Sequence, residues 1–380
     1  MAKLGRPAGP LSTVAATKRS VMAPLALNHR FGFDKTTVSV GDIEMDRFML
    51  LLLLAALVLI SHASASPLFD EDSVLEVRLS GPLDSLISNK KARTELPFLL
   101  TVDDSELTLR VRVRGKSRLR VCDFPPLRLN FRDDQTDSTI FTGQGKLKLV
   151  THCRKYDRAE EDTLEEFAAY RIFNLLSDFS YRVRLLHITY TDSGDHRDGA
   201  DLERYGFLIE SENELAERTG ALPVRIGGLP RRSLDTDQSA MVYVFEYLIG
   251  NTDFSFVAAE DEDTCCHNGD LFDRESRIYY VPYDFDLAGL VNARYAYPHP
   301  SLRIRKVTQR LYRGLCTSPD ALRRALTTII ARRTEILDVL RESPVLSNKN
   351  IEEKVDYLNK FFAKAEDEEG LLESFGKRCL

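Results

Sequence analysis

Glu246-Tyr-Leu-Ile-Gly-Asn-Thr-Asp-Phe-Ser-Phe256 opens the stretch that decides how this chain reads. Arg277-Ile-Tyr-Tyr-Val-Pro-Tyr-Asp-Phe-Asp-Leu-Ala-Gly-Leu290 closes it. Between them an acidic insert leads into Cys265-Cys-His-Asn-Gly-Asp-Leu-Phe272. Acidic and amide side chains gather at three points: Asn251 with Asp253, His267 with Asn268, and Asp284 with Asp286. Ile278 to Tyr283 is apolar and aromatic, which predicts a buried strand. Asp284 and Asp286 sit where that strand ends. Carboxylates delivered from a strand end into a cleft suit a hard cation such as magnesium, which prefers oxygen ligands and keeps several waters. Met241 to Ile249 reads as a helix stopped by Gly250, with Asp253 just beyond it. Taken singly, these Asp and Asn residues are equally well explained as turn and cap residues. Three groups bracketing one strand point instead to a site.

The order Gly250-Asn251-Thr252-Asp253, His267-Asn268, Leu271-Phe272 and Asp284-Phe285-Asp286 resembles the CotH family, the spore-coat-type secreted protein kinases. The resemblance implies an α+β, two-lobed atypical protein-kinase-like fold, with a β-rich N-terminal lobe and a mostly helical C-terminal lobe. It implies that Asp253 is the catalytic residue and that Asn268 and Asp284 hold metal, with Asp286 as a further ligand. Ordinary kinases show the same order of catalytic Asp, metal-binding Asn and late metal-binding Asp. Family members usually carry Trp before both acidic motifs. This chain has no Trp and places Thr252 and Tyr283 there.

Upstream the pattern is β. Val74–Leu79, Leu107–Val113 and Pro126–Phe131 alternate apolar with polar residues. Arg114-Gly115-Lys116-Ser117 interrupts them and resembles an R-G-N-S turn of the family. A Gly turn with basic and hydroxyl neighbours suits phosphate; it equally suits an ordinary hairpin. Lys146 and Lys148 project from one face of the next strand, Leu147 and Leu149 from the other. Asp162 to Leu176 is an amphipathic helix that Asp162 can cap. Leu164–Tyr170 resembles the family's L-R-E-Y-L-A-Y, and Glu166 then matches its Glu. On that reading Lys148, or Lys146, neutralises ATP phosphates and Glu166 positions it. On the other reading Glu165 and Glu166 are solvated first-turn residues favoured by the helix dipole. Phe207, Leu208 and Ile209 either line a nucleotide-base pocket that Glu210 orients, or are plain core. Helices from Ser318 to about Leu340, and a capping box at Asn350–Glu353 before Tyr357–Phe362, carry no chemistry.

Residues 1–44 lack Asp and Glu before Asp34 and read as an extension or a mis-called start. Residues 45–65 read as a signal peptide. Phe48–Ile60 is uncharged and shorter than the roughly 20 residues of a membrane span, and Ala63-Ser64-Ala65 is a small-x-small cleavage site. An uncleaved anchor or a transit peptide is the competing reading. Residues 66–210 then form the β-rich N-terminal lobe and 211–380 the C-terminal lobe. The net charge of −6 gives no basis for nucleic-acid binding. Six Cys, all beyond the signal region, permit disulfides in an exported protein. Cys122 and Cys153 flank a strand-rich block and are the first candidate pair. Cys265 and Cys266 are adjacent and are not expected to bond each other.

The expectation is thus an exported, periplasmic, secreted or surface kinase with no stable membrane span after cleavage. It would use ATP and Mg2+ (or Mn2+) to phosphorylate Ser or Thr of a protein substrate. Arg114 and Glu210 join Lys146, Lys148 and Glu166 as candidate nucleotide contacts. A metal-dependent phosphoesterase, with His267 as a ligand, and a non-catalytic surface protein are the alternatives.

Overall fold

The structure is a computed structural model, which describes residues 67–156, 158–194, 201–261 and 264–380. The extension and signal-peptide readings of residues 1–65 lie outside the described residues. Seven strands alternate apolar and polar residues and curl into a barrel. They are β1 (Leu75–Gly81), β2 (Leu96–Val102), β3 (Ser105–Val113), β4 (Leu127–Asn130), β5 (Lys146–Val150), β6 (Val183–Asp192) and β7 (Leu202–Ile209). Their order around the barrel is β1-β2-β3-β4-β5-β7-β6. Closure comes from β6, which runs parallel to β1 with Leu75 opposite Leu186 and Gly81 opposite Asp192. The other barrel pairs are antiparallel. A closed barrel leaves no strand edge to pair with other chains.

In β1, Leu75, Val77 and Leu79 are buried while Glu76 and Arg78 are exposed, as a period of two requires. Leu109, Val111, Leu129, Leu147 and Ile188 join them in the barrel core. The first half of β6 breaks the alternation because both its faces are covered. Leu186 and Ile188 belong to the barrel core, whereas Val183 and Leu185 belong to a second, larger core.

Short helices α1 (Leu83–Ser88), α2 (Arg118–Val121) and α3 (Asp133–Thr136) sit in barrel connections. The long helix α4 (Arg158–Leu176) lies between β5 and β6, and α5 (Glu212–Thr219) and α6 (Thr236–Ile249) follow the barrel. Strand β8 (Leu222–Val224) pairs with a hairpin of β11 (Gly269–Arg274) and β12 (Arg277–Pro282). A ribbon of β9 (Ser255–Asp261) and β10 (Thr264–His267) precedes that hairpin. Helices α7 (Pro319–Ala331), α8 (Arg333–Arg341), α9 (Asn348–Ala365) and α10 (Glu368–Gly376) complete the chain.

This architecture overturns the expected two-lobed kinase-like fold with a β-rich N-terminal and a mostly helical C-terminal lobe. The N-terminal strands close into a seven-stranded mixed barrel. The C-terminal part carries five strands as well as helices. The physical reason lies in the second core. Leu164 and Ala168 of α4 and the outward residues Leu185 and Phe207 of the barrel share it with Phe245 of α6 and Phe361 of α9. One continuous core thus runs from the barrel wall into the C-terminal helices, and the described residues fall within a single unit.

Smaller expectations are also corrected. Helix α4 begins at Arg158, so Asp162 lies inside it and does not cap it. Glu165 and Glu166 are each only 2% exposed, which removes their reading as solvated residues. The cap of α9 is Ser347, whose hydroxyl accepts the Asn350 N–H, not a box opening at Asn350. Three disulfides form among the described residues. Cys122–Cys153 pairs as expected and Cys316 pairs with Cys379. Cys265 and Cys266 bond each other, against the expectation, because ribbon β9–β10 brings both sulfurs to the Phe256 carbonyl, at 3.3 and 3.4 Å.

Cys122–Cys153 closes a segment with a sequence separation of 31. A bridge over such a loop typically contributes about 3–4 kcal/mol. The Cys122→Ala/Cys153→Ala variant should lose that much in urea unfolding, and an unchanged midpoint at equal slope would contradict it.

Candidate functional site

The site is assembled by local chain geometry at three places. The first is the end of α6. Asp235 caps its start, accepting the Gln238 N–H at 2.8 Å. Gly250 ends it with φ +69°. A Cβ there would lie 2.1 Å from the Tyr357 hydroxyl, so glycine is required for space as well as for φ. Asn251 Oδ1 then accepts the Asp253 N–H at 2.9 Å, an Asx turn that aims the following carboxylate. Asp253 is gripped on both oxygens. His267 Nε2 lies 3.1 Å from Oδ1, and Asn268 Nδ2 donates to Oδ2 at 3.0 Å and to the backbone carbonyl at 2.6 Å.

The second place is the β11–β12 hairpin. Its turn residues Glu275 and Ser276 have φ +55° and +63°, the primed geometry that matches strand twist. Gly269 pairs with Pro282 at its open end, and the Tyr283 N–H donates to the Asn268 carbonyl at 3.1 Å. The hairpin therefore sets Asn268 beside the Tyr283–Asp284 segment. Asn268 (φ +52°) and Asp284 (φ +65°) both sit in the left-handed region, which Asn and Asp tolerate better than other non-glycine residues. The Asp284 N–H also donates to the Tyr170 hydroxyl of α4 at 2.9 Å.

The third is Arg118 at the start of α2, which follows the Arg114–Ser117 turn. Its Nη2 donates to Glu166 Oε1 and Oε2 at 2.8 and 2.9 Å and to Asp284 Oδ1 at 2.6 Å. Its Nε lies 3.0 Å from Asp286 Oδ2, an ion pair without hydrogen-bond alignment. Burial works against the Arg118 charge, but Asp286, Glu166 and Asp284 outweigh it and raise its pKa. Burial pushes Asp286 up to about 8 despite Arg118, with Asp284 and Glu166 adding to the rise. Burial raises Glu166 as well, against the pull of Arg118. Asp286 also accepts from the Tyr295 hydroxyl at 2.9 Å, a contact that favours its ionised form.

These places border one cleft of about 640 Å³. Its walls carry Arg93, Arg112, Arg114, Lys116, Arg120 and Arg128 together with Asp253, His267, Asn268 and Asp284. Arg114 is half-buried there. Burial lowers its pKa, and Asp284 pulls it back up.

Of the residues singled out in the sequence, Asp253, Asn268, Asp284 and Arg114 are thus brought together. Asp286 is buried and spent on Arg118 and Tyr295, away from the cleft wall. Glu166 is corrected: its partner is Arg118, not a strand lysine. Lys148 is half-buried, with its ammonium 4.9 Å from the centre of the Tyr283 ring and 5.5 Å from that of Tyr181. Burial lowers its pKa. It lines an adjoining pocket of about 540 Å³ with Lys146, Ile209 and Glu210. Arg128 belongs to both spaces. Glu210 has no orienting freedom, since Arg182 Nε and Arg218 Nη2 each donate to it at 2.9 Å. Phe207 and Leu208 are core. Among the described residues no group of three or more His, Cys, Asp and Glu side chains is arranged to hold a metal ion.

Arg118 and Glu246 went unnoticed in the sequence. Arg118 is one of several cations between Arg114 and Arg120, and nothing local marks it as the buried one. The usable signal was the surplus of carboxylates at buried positions, which demands a cation. Glu246 lies behind Asp253 on α6, fully buried, and neither oxygen makes a hydrogen bond among the described residues. Burial raises its pKa to about 8, against a pull from the neighbouring Asn251 amide. Set against models of protein families and against curated proteins, the chain matches none.

The Glu246 shift has a measurable sign. Folded protein keeps this proton up to about pH 8, whereas the unfolded chain releases it near the ordinary Glu value of 4.5. Its contribution is therefore full at low pH and is lost as pH rises through that window. Glu246→Gln should make the decline of unfolding free energy between roughly pH 5 and pH 7.5 shallower, by up to about 1.4 kcal/mol per pH unit. Parallel stability–pH curves for the two proteins would contradict the assignment.

Proposed function

We propose that the cleft binds ATP and transfers its terminal phosphoryl group to a Ser or Thr hydroxyl of an exported protein. The observation that carries this reading is six cationic side chains bordering the same space as Asp253, Asn268 and Asp284. A triphosphate needs several positive donors, and Arg supplies paired N–H groups that match phosphate oxygens. A plain anion-binding site has no use for the carboxylates. Phosphoryl transfer needs both, one set for the phosphates and one for the acceptor.

In this reading Arg114 and its basic neighbours hold the phosphates, and Arg118 keeps Asp284 in place. Asp253 accepts the hydroxyl proton as the acceptor oxygen bonds the γ-phosphorus and the bond to the β-phosphate oxygen breaks, releasing ADP. His267 and Asn268 fix Asp253 so that little reorganisation is needed, and the catalysis is mainly positioning and electrostatics. The adjoining pocket, reached past Arg128, receives the nucleoside, with Lys148 and Lys146 on its wall. Asp284 spends one oxygen on Arg118, and Asn268 spends its amide nitrogen on Asp253. The other Asp284 oxygen and the Asn268 amide oxygen are the donors left for a magnesium or manganese ion. That pair suits an ion otherwise held by phosphates and water, and the ion would neutralise phosphate charge. The phosphoesterase alternative asks for His267 as a metal ligand, but its Nε2 is against Asp253.

One observation favours a second reading, phosphate binding without transfer: Arg118 already occupies an oxygen of Asp284. Three disulfides, and the absence among the described residues of a helix long and apolar enough to cross a membrane, support export.

The test is ATP binding and phosphate transfer from labelled ATP with Mg2+ or Mn2+. Arg114→Ala should weaken ATP binding about tenfold or more, the value of a hydrogen bond to a charged group. Asp253→Ala should keep binding and lose about 10²–10⁴-fold in transfer. A wild-type chain that binds no ATP with either ion overturns the proposal; binding without transfer establishes the second reading instead.

A further inference from the structure

A separate polar cavity, of about 340 Å³, opens where α4 begins and where the chain leaves the Asp284–Asp286 segment. Arg158, Asp162, Glu165, Arg294 and Lys354 line it. Neither the cleft nor the proposed transfer uses it. We propose that this cavity binds a small tetrahedral oxyanion, such as inorganic phosphate or a phosphoryl group of a larger ligand, between Arg158, Arg294 and Lys354.

The argument begins with what is buried. The side chains of Lys354 and Glu165 are only 5% and 2% exposed, yet both face this cavity. Lys354 Nζ donates to the Val291 carbonyl at 3.0 Å and lies 2.9 Å from Glu165 Oε2. Asn350 Nδ2 donates to Glu165 Oε1 at 2.6 Å. One ammonium N–H is thereby engaged in a hydrogen bond, and the contact to Glu165 is an ion pair without hydrogen-bond alignment. A buried ion pair costs desolvation that its own attraction rarely repays, so a cavity held open around one calls for a use. Arg158, Arg294 and Lys354 line this one space together with Asp162. Burial raises Asp162 to about 6 and Glu165 to about 8, each against the pull of Lys354.

The remaining charge is positive. The Arg158 and Arg294 guanidiniums have no carboxylate within ion-pair distance among the described residues, and Arg294 rests over the Tyr156 ring at 5.0 Å. The first turn of the 19-residue α4 carries Glu160 and Glu161, which offset the positive end of its dipole, so the lining cations carry the selection. Three lining cations against two lining carboxylates leave a positive balance that selects an anion. A polar lining selects one that accepts several hydrogen bonds, and the volume admits phosphate.

This inference does not depend on the reading of the cleft, and the experiment keeps the two apart. Inorganic phosphate is titrated into the full chain at constant ionic strength, with acetate as a planar-carboxylate arm. Binding is followed by calorimetry and by hydrogen exchange of residues 158–165 and 291–296. Phosphate should slow exchange in both segments, and acetate should do so more weakly. Arg158→Ala/Arg294→Ala, both exposed and safe for folding, should weaken this binding at least tenfold. Arg114→Ala, in the cleft, should leave it unchanged. Lys354→Met would strand Glu165 in the core and is not a clean probe. Phosphate affinity and exchange that are the same in the double variant and the wild type would overturn the proposal. So would a phosphate response abolished by Arg114→Ala alone.

Discussion

One guanidinium holds the site together. Arg118 reaches from the connection after β3 to Glu166 on α4 and to Asp284 and Asp286 beyond β12. Without it three carboxylates from two distant segments would repel one another in a poorly solvated space. Removing one partner from such a cluster typically costs about 3–5 kcal/mol, because a charge is left buried and alone. The barrel makes the contact a fixed one. Pairing of β3 with β4 anchors both ends of the α2 connection, and closure through β1–β6 removes the slack an open sheet would keep. The same cation therefore joins the barrel to the hairpin and decides which carboxylate oxygens still face the cleft.

From that constraint the chemistry follows in order. Asp284 engages Arg118 through one oxygen and borders the cleft, whereas Asp286 does not reach the cleft wall. Asp253 is positioned separately, by Asn251 through the backbone and by His267 and Asn268 through the carboxylate. Two independent mountings thus serve one cleft: one braced against the barrel, the other against α6 and the β9–β10 ribbon. That separation suits a reaction in which a phosphate-holding set and an acceptor-activating set meet only in the transition state.

What the sequence revealed was local, and what it hid was not. The alternation of β1, β3 and β4 was readable, as were the apolar run of β12 and the Gly250 stop of α6, because each is written in neighbouring residues. Asp253, Asn268 and Asp284 were readable for the same reason, through short motifs around turns. Barrel closure was not, since β6 pairs with β1 across more than a hundred positions and no residue in either strand announces the partner. Strand β2 was passed over because Leu96-Pro-Phe-Leu-Leu-Thr-Val102 is a continuous apolar run with a proline, not an alternation. The Glu166 partner was misassigned because a strand lysine and a buried arginine look alike until the fold places them; Lys148 proved to lie against Tyr181 and Tyr283 instead. The bond between Cys265 and Cys266 likewise depends on the β9–β10 ribbon, which spacing alone does not show.

The most direct test of the central claim is a double-mutant cycle in urea unfolding across Arg118→Met and Glu166→Gln. If Arg118 is the cation that Glu166 depends on, the double variant should be less destabilised than the sum of the two single variants. The expected coupling is about 1–3 kcal/mol. Two additive effects, with no coupling beyond about 0.5 kcal/mol, would contradict the account.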